Sequence, residues 1–277
     1  MHIVNLVSND HGKDEKITKG HDVAKGDLSP LHWHDIPASA GLLTRVPVRV
    51  NSDLAMERGA RAAWAYPIIG FKIAVVLIIL GGIANWLTIP TTITAALMLA
   101  TSVLLTGAMH EDGLADSADG LWGGWVKDHR LTIMKDSRTG AYGVLALVLS
   151  MIIRWAALAA ILATDHWIAA LIATAMLSRA AMVAIMTGLP HARDTGLSQS
   201  VGRPQPITAW LAIGVAALGS ALAIGLTAGT LVIVAALMAS LCAGIAHQKI
   251  GGQTGDVIGA TQQLTEIALL ITLATIL

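Results

Sequence analysis

Apolar residues along this chain gather into runs of about 20, divided by polar connections. The pattern predicts seven membrane-spanning helices, over roughly 66–87, 90–109, 141–163, 166–187, 207–226, 229–247 and 256–277. Each run is long enough to cross a hydrocarbon core about 30 Å thick at about 1.5 Å per helical residue. Pro90 and Pro206 stand where a helix starts without wasting a backbone donor, and Gly188, Gly251 and Gly252 stand where helices stop. Trp64, Trp86, Trp167 and Trp210 fall near span ends, the depth that interfacial aromatics prefer. Residues 1–37 carry too few large apolar groups to offset the entropy of folding alone and read as a polar, mobile tail. Ala38 to Val50 reads as a membrane-surface segment. The expected fold is all-α, a polytopic transmembrane bundle of about seven spans, with residues 38–277 as one integral-membrane catalytic domain behind a cytoplasmic tail.

Composition supports this class. Of the 277 residues, 55% are hydrophobic and 13% charged, and the mean hydropathy of +0.66 lies well above that of a water-soluble globule. Eighteen basic and 18 acidic side chains cancel, which gives no argument for nucleic acid as a partner. Cys242 stands alone, so an intrachain disulfide and a thiolate metal cluster are both excluded. The first residues lack the uninterrupted apolar core of a secretory signal, and insertion is expected through the later helices. His2, His11, His21, His32 and His34 follow no metal-ligand spacing.

The distribution of charge sets the orientation. Lys127, Arg130, Lys135, Arg138, Arg193, Arg203 and Lys249 all fall in connections on one side of a seven-span layout, together with the basic residues before the first span. The opposite connections, near 88, 165 and 228, contain no Lys or Arg. The basic side faces the cytoplasm, and with it every long polar connection.

Chemistry concentrates there as well. No Asp, Glu, Lys or Arg occurs from Ile73 to His110, whereas six of the 18 acids fall between Glu111 and Asp136. If the second span continues as a helix, Asp112, Asp116 and Asp119 occupy i, i+4 and i+7, a stripe about 60° wide. Such a cluster repels itself unless a cation holds it, and oxygen-only ligands favour Mg²⁺ or Mn²⁺ over Zn²⁺. Gly113 and Gly120 leave room for a bulky anion near the backbone, and Glu111 points away from the stripe. A zincin is excluded because Leu114 stands where a histidine would be needed, and no P-loop occurs.

A second block, Met134 to Gly143, places Lys135 and Arg138 as phosphate contacts beside Asp136. A third runs from Gly251 to Glu266; burying Asp256, Gln262, Gln263 and Glu266 in lipid is costly, so these line a cavity or join helices by hydrogen bonds. Arg154 and Arg179, isolated inside spans, read as partners of buried acids or as phosphate contacts. Arg193, Asp194, Ser198 and Gly202-Arg203-Pro204 make a lid or a plain loop.

Glu111-Asp112-Gly113-Leu114-Ala115-Asp116-Ser117-Ala118-Asp119-Gly120 resembles the signature of the cobalamin synthase family, the adenosylcobinamide-GDP ribazoletransferases. Leu43 to Pro47, Lys135 to Gly143 and Gly252 to Glu266 resemble the family's other blocks. The resemblance implies a Mg²⁺-dependent inner-membrane enzyme, its active site facing the cytoplasm, that performs the last assembly step of adenosylcobalamin. Such an enzyme joins adenosylcobinamide-GDP to α-ribazole or its 5′-phosphate and releases GMP. Asp112, Asp116 and Asp119 would then hold the metal. Lys135, Asp136, Arg138, Gln262 and Gln263 would serve the substrates, and Glu111 or Asp256 would take the ribose proton. Partners would be the two substrates, membrane lipid and, beyond them, a second copy or other corrinoid-assembly enzymes. A CDP-alcohol phosphotransferase ranks second, since Asp119-Gly120 leads into Leu121-Trp122 instead of its Ala-Arg. A cation transporter, with the acids as its ion path, is the alternative of another class.

Overall fold

The computed structural model describes residues 29–277. Its elements are α1 (Asp35–Leu43), α2 (Ser52–Arg58), a 3₁₀ segment (Gly59–Ala65), α3 (Tyr66–Trp86), α4 (Thr91–Thr106), α5 (Met109–Gly123), α6 (Lys127–Ile133), α7 (Ala141–Ile161), α8 (Trp167–Gly188), α9 (Leu197–Val201), α10 (Pro206–Ile224), α11 (Thr227–Ile250) and α12 (Gly255–Ile276). Among the described residues there is no strand, only an isolated bridge between His191 and Gln253. The first 28 positions, with His2, His11 and His21, lie outside the described residues.

Six helical stretches are long and apolar enough to cross a membrane, and a seventh crossing results if α4 and α5 count as one bent span. The chain is thus an all-helical, multi-pass membrane protein. The second span does not continue straight into the aspartate helix, as the sequence reading supposed. Gly107 and Ala108 both adopt left-handed φ, at 65° and 59°, and α5 leaves α4 at 88°. Only glycine takes that conformation at no steric cost. The Arg45 side chain also fills the space a Cβ at Gly107 would need, and its backbone N–H donates to Leu105 at 2.7 Å. The corner therefore locks the N-terminal segment to the start of α5.

Helices α8 and α12 form the centre. About 78% of the α8 span and 67% of the α12 span are buried, against 28% for α7, α10 and α11, which present their outer faces to lipid. Small residues let backbones approach where no hydrophobic force drives helices together in lipid. A Cβ on Gly70 would overlap the backbone carbonyl of Ala175, so α3 crosses α8 with no side chain between them.

The N-terminal helices are pinned from within the segment read as tail. Asp35 is fully buried and accepts from Arg58 Nη2 at 2.8 Å and Trp64 Nε1 at 2.7 Å. Ordered structure therefore begins before residue 38, because a buried carboxylate with two charge-assisted or aromatic donors is stable only when the helix carrying it is docked.

A closed set of charges lies at the heart of the bundle. Arg154 donates to Glu111 Oε1 at 3.0 Å, Gln263 Oε1 at 2.8 Å and Glu266 Oε1 at 2.7 Å, while Arg179 donates to Glu266 Oε2 at 3.1 Å. Gln262 donates to Glu266 at 2.6 Å, and Gln263 donates to Glu111 at 3.1 Å. Two cations and two anions cancel, so α5, α7, α8 and α12 are tied together without net charge in the apolar interior. Of the two roles left open for Arg154 and Arg179, the structure shows the pairing with buried acids.

The fold also explains two of the glycines differently from the sequence reading. A Cβ at Gly113 would lie 2.7 Å from the carbonyl oxygen of Asp256, and one at Gly259 would lie 3.3 Å from His110 Cα. Gly120 faces Met134 and the Arg130 carbonyl. Protein, not an anion, fills these spaces: Gly113 and Gly259 bring the start of α5 against the start of α12. Gly113→Ala is expected to cost about 1–3 kcal/mol by overpacking and to lower activity with it, because the two acidic turns must separate. Thermal unfolding in detergent, with turnover measured alongside, checks this; a fully stable, fully active variant would contradict the close crossing.

Candidate active site

The α5/α12 crossing sits at the end of the bundle where the basic connections meet. Arg130 donates to the Lys249 carbonyl at 2.8 Å, Lys249 Nζ to the Leu121 carbonyl at 2.9 Å, and Lys135 Nζ to Thr195 at 3.2 Å. These contacts gather three separate polar connections onto one face. The connection after α8 closes over the crossing. Ala192 N–H donates to the Gln253 carbonyl at 2.9 Å, and Gln253 N–H to the Pro190 carbonyl at 2.8 Å. The Gln253 side chain accepts from Ser198 Oγ at 2.5 Å and contacts His191 Nδ1 at 2.9 Å. A Cβ on Gly252 would meet the Pro190 carbonyl, which is why the two loops approach so closely.

Beneath this lid lies a cavity of about 190 Å³, lined by Asp112, Arg193, Ser198 and Asp256 on its polar side. Asp256 belongs to the first turn of α12, where Thr254 caps the helix by accepting from Val257 N–H at 3.3 Å. Arg193 donates to Asp256 Oδ2 at 3.2 Å, as does the Thr254 hydroxyl at 3.2 Å. Asp112 lies exposed at the cavity edge and Asp116 is half-buried one turn further along α5. Asp112 and Asp256 both act electrostatically on Asp116, and Arg193 opposes them. Three carboxylates facing one guanidinium leave a surplus of negative charge.

The predicted residues divide into three groups. Asp112 and Asp256 reach the cavity, with Asp116 beside them. Asp119 does other work: it is buried, and its two oxygens accept from Gly140 N–H at 2.7 Å and Gly143 N–H at 2.9 Å, holding the first turn of α7. A Cβ at either glycine would collide with that carboxylate, which ties the second sequence block to the first. Glu111, Gln262 and Gln263 lie in the buried charge set and do not line the cavity. Lys135 and Arg138 are exposed, away from the cavity lining, although Lys135 touches the lid at Thr195. Arg138 is engaged by Asp136 through contacts of 3.0 and 2.6 Å, and these hydrogen bonds lower the Asp136 carboxyl to about 2, so the pair is charged at neutral pH.

Sequence reasoning placed Arg193 and Ser198 in a connection that is a lid or a plain loop without assigning them to the site, and did not single out His110, Tyr66, Met182 or Met186 as site residues, all of which line the cavity. A lone arginine in a loop after a span has the same sequence signature as a positive-inside anchor. Its approach to Asp256 depends on two loops 60 residues apart in the chain closing on one another.

Among the described residues no group of three or more His, Cys, Asp or Glu side chains converges closely enough to hold a metal by itself. Mg²⁺ does not need such a cage, since it is usually bound through one or two carboxylates together with water and substrate phosphate. Asp112, Asp116 and Asp256 supply oxygen donors of that kind, with Asp112 and Asp116 accepting no side-chain hydrogen bond among the described residues.

Residues 35–274 match the family model described as cobalamin-5-phosphate synthase. An adenosylcobinamide-GDP ribazoletransferase of Bradyrhizobium diazoefficiens is 41% identical over 243 residues, covering 87% of this chain and 93% of that protein. Its counterpart in Rhizobium meliloti is 42% identical over 255 residues, covering 87% of this chain and 96% of that protein. The counterpart in Azorhizobium caulinodans is 42% identical over 249 residues, covering 86% and 94%. No solved structure matches the chain.

Proposed function

The chain belongs to the cobalamin-5-phosphate synthase family, and we infer from this that it is an adenosylcobinamide-GDP ribazoletransferase acting in the final assembly of cobalamin. We propose further that it requires Mg²⁺, and that it works at the cytoplasmic face of the inner membrane. The observation that carries the catalytic reading is the cavity under the 189–205 lid, where two sequence-distant acidic turns, at Asp112 and Asp256, meet one arginine.

In this reaction a ribose hydroxyl that stays free even in ribazole 5′-phosphate attacks through its oxygen the phosphorus that carries cobinamide, gives up its proton, and the bridging oxygen leaves with GMP. Asp112 and Asp116 would hold Mg²⁺, which when bound would neutralise charge on the diphosphate oxygens. The chain's own groups do the rest. The N-terminus of α12 presents the positive end of a helix dipole to an anion. Arg193, held by Asp256, is placed to follow the negative charge that builds on the departing phosphate. Asp256 is the better acceptor for the hydroxyl proton. It lines the cavity, whereas Glu111 is committed to Arg154 and Gln263 behind it. The lid excludes water that would otherwise compete with the ribazole hydroxyl. Charge asymmetry supports the orientation, since Arg193, Arg203, Lys127 and Lys249 all lie at the site's end of the bundle.

Purified protein in detergent, given adenosylcobinamide-GDP, α-ribazole and Mg²⁺, should form cobalamin and GMP in equal amounts, and a chelator should stop both. Absence of product with either Mg²⁺ or Mn²⁺ would overturn the assignment, and chelator-resistant turnover would remove the metal.

A further inference from the structure

The two substrates differ greatly in size and polarity, and the lidded cavity can distinguish them. An apolar cavity of about 150 Å³ holds one benzene ring, and this one measures about 190 Å³. That suffices for one bicyclic aromatic base and is far too small for a corrin macrocycle. The cavity also has a gradient of burial. Asp112 is exposed and Arg193 half-buried, while Leu43, Tyr66, Met182, Met186 and Ile258 are each less than a tenth exposed. Most of its buried wall is therefore apolar, His110 and Ser198 being the buried polar side chains, and Asp112 stands at its outer edge.

We propose that this cavity is the acceptor site: it takes the methylated benzimidazole base of ribazole among Leu43, Tyr66, Met182, Met186 and Ile258, and directs the ribose toward Asp112 and Asp256. The proposal rests on the transferase reading above and specifies which substrate fills the cavity. Guanine, the other base in the reaction, fits poorly. Its edge carries several donors and acceptors, and burying them against thioethers and aliphatic carbons without partners is costly. A dimethylated benzimidazole has apolar edges and one free ring nitrogen. Two residues of the wall, Tyr66 and His110, carry a polar group suited to that nitrogen. His110 is 1% exposed and its Nε2 has no hydrogen-bond partner among the described residues. Thioethers pack well on aromatic rings, and Met182 and Met186 lie one turn apart on the same face of α8. The donor, with its corrin and guanine, then stays outside the cavity mouth, and its diphosphate approaches the aspartates from the membrane surface. The selectivity of the enzyme for its base is set by α1, α3, α8 and α12 together with His110 at the start of α5, and not by the aspartates.

The test is steady-state kinetics with each substrate varied in turn. Met186→Ala and Ile258→Ala should raise the KM for α-ribazole at least about tenfold, the usual range for a lost apolar contact in a specificity pocket, with the KM for adenosylcobinamide-GDP unchanged. Met186→Leu should restore most of the loss. A rise in donor KM with the acceptor's unchanged would overturn the proposal and give the cavity to the donor. Should the alanine variants fail to fold, Met186→Phe fills the cavity without leaving a void and should raise the acceptor KM alone. Equilibrium binding of α-ribazole to the protein without donor gives a separate measure. Wild-type protein that binds ribazole, and loses it in Met186→Phe, upholds the cavity assignment even if no turnover is found, in which case the transferase reading alone fails. Wild-type protein that turns over both substrates, with ribazole binding unaffected by Met186→Phe, sinks the cavity assignment alone.

Discussion

Asp112→Asn is expected to lower GMP release by at least about 10²-fold, the scale on which single preorganised electrostatic groups act in transition states, without lowering the stability of the protein. Both halves follow from the same placement. The Asp112 side chain is exposed at the cavity edge and accepts no hydrogen bond among the described residues, so its charge contributes to the fold only through the dipole of α5, about 0.3–1 kcal/mol. It faces Asp116 and Asp256 with only Arg193 in opposition. Removing one like charge relieves repulsion, and the folded state should gain or hold its ground in thermal unfolding. The activity loss should be accompanied by a higher Mg²⁺ requirement, because an amide oxygen is a weaker ligand than a carboxylate for a hard cation. Asp112→Glu, which keeps the charge, should lose less. Turnover that remains normal in Asp112→Asn would remove this residue from the reaction, and a large loss of stability would show that the acids are structural.

Arg154→Met should have the opposite profile, with stability falling first. Arg154 is 1% exposed and serves Glu111, Gln263 and Glu266 at once. Removing one partner from a buried ionic set typically costs about 3–5 kcal/mol, because the charges left behind stay out of water without compensation. Here Arg179 alone would face two carboxylates. Pairing the change with Glu111→Gln restores neutrality, so the double variant should recover part of the loss, a coupling that a double-mutant cycle in detergent would measure. Equal stability of Arg154→Met and wild type would show that these four helices are held by packing alone. Since Glu111 is adjacent to Asp112, the same variant should also disturb turnover, through the tilt of α5.

These two variants separate residues that look alike in the sequence. Glu111 and Asp112 are neighbours in one acidic run, yet one is sealed behind α5 with an arginine and the other opens onto the cavity. The helical period anticipated the division, since adjacent residues point about 100° apart. It gave no sign of what each would meet. Asp119 shares the stripe of Asp112 and Asp116, but its carboxylate is taken by the amides of Gly140 and Gly143. Those glycines had been noted as part of a phosphate-contacting block. Their proximity to Asp119 depends on α6 folding the chain back on itself.

The sequence alone determined the class of fold, six of the long apolar helices, the face that gathers the polar connections, and the family. Each follows from local quantities: run length against bilayer thickness, the sign of charge in short loops, and the order of a few residue types. Tertiary structure decided which acids are working groups and which are struts. It broke the path from α4 to α5 at two left-handed residues, let α5 and α12 touch through Gly113 and Gly259, and laid the loop of Arg193 over the result. The reason is that a carboxylate's role depends on its partners. In this bundle the arginine partners of Glu111 and Asp256 come from a helix and a loop more than 40 residues away in the chain, at distances no periodicity can encode.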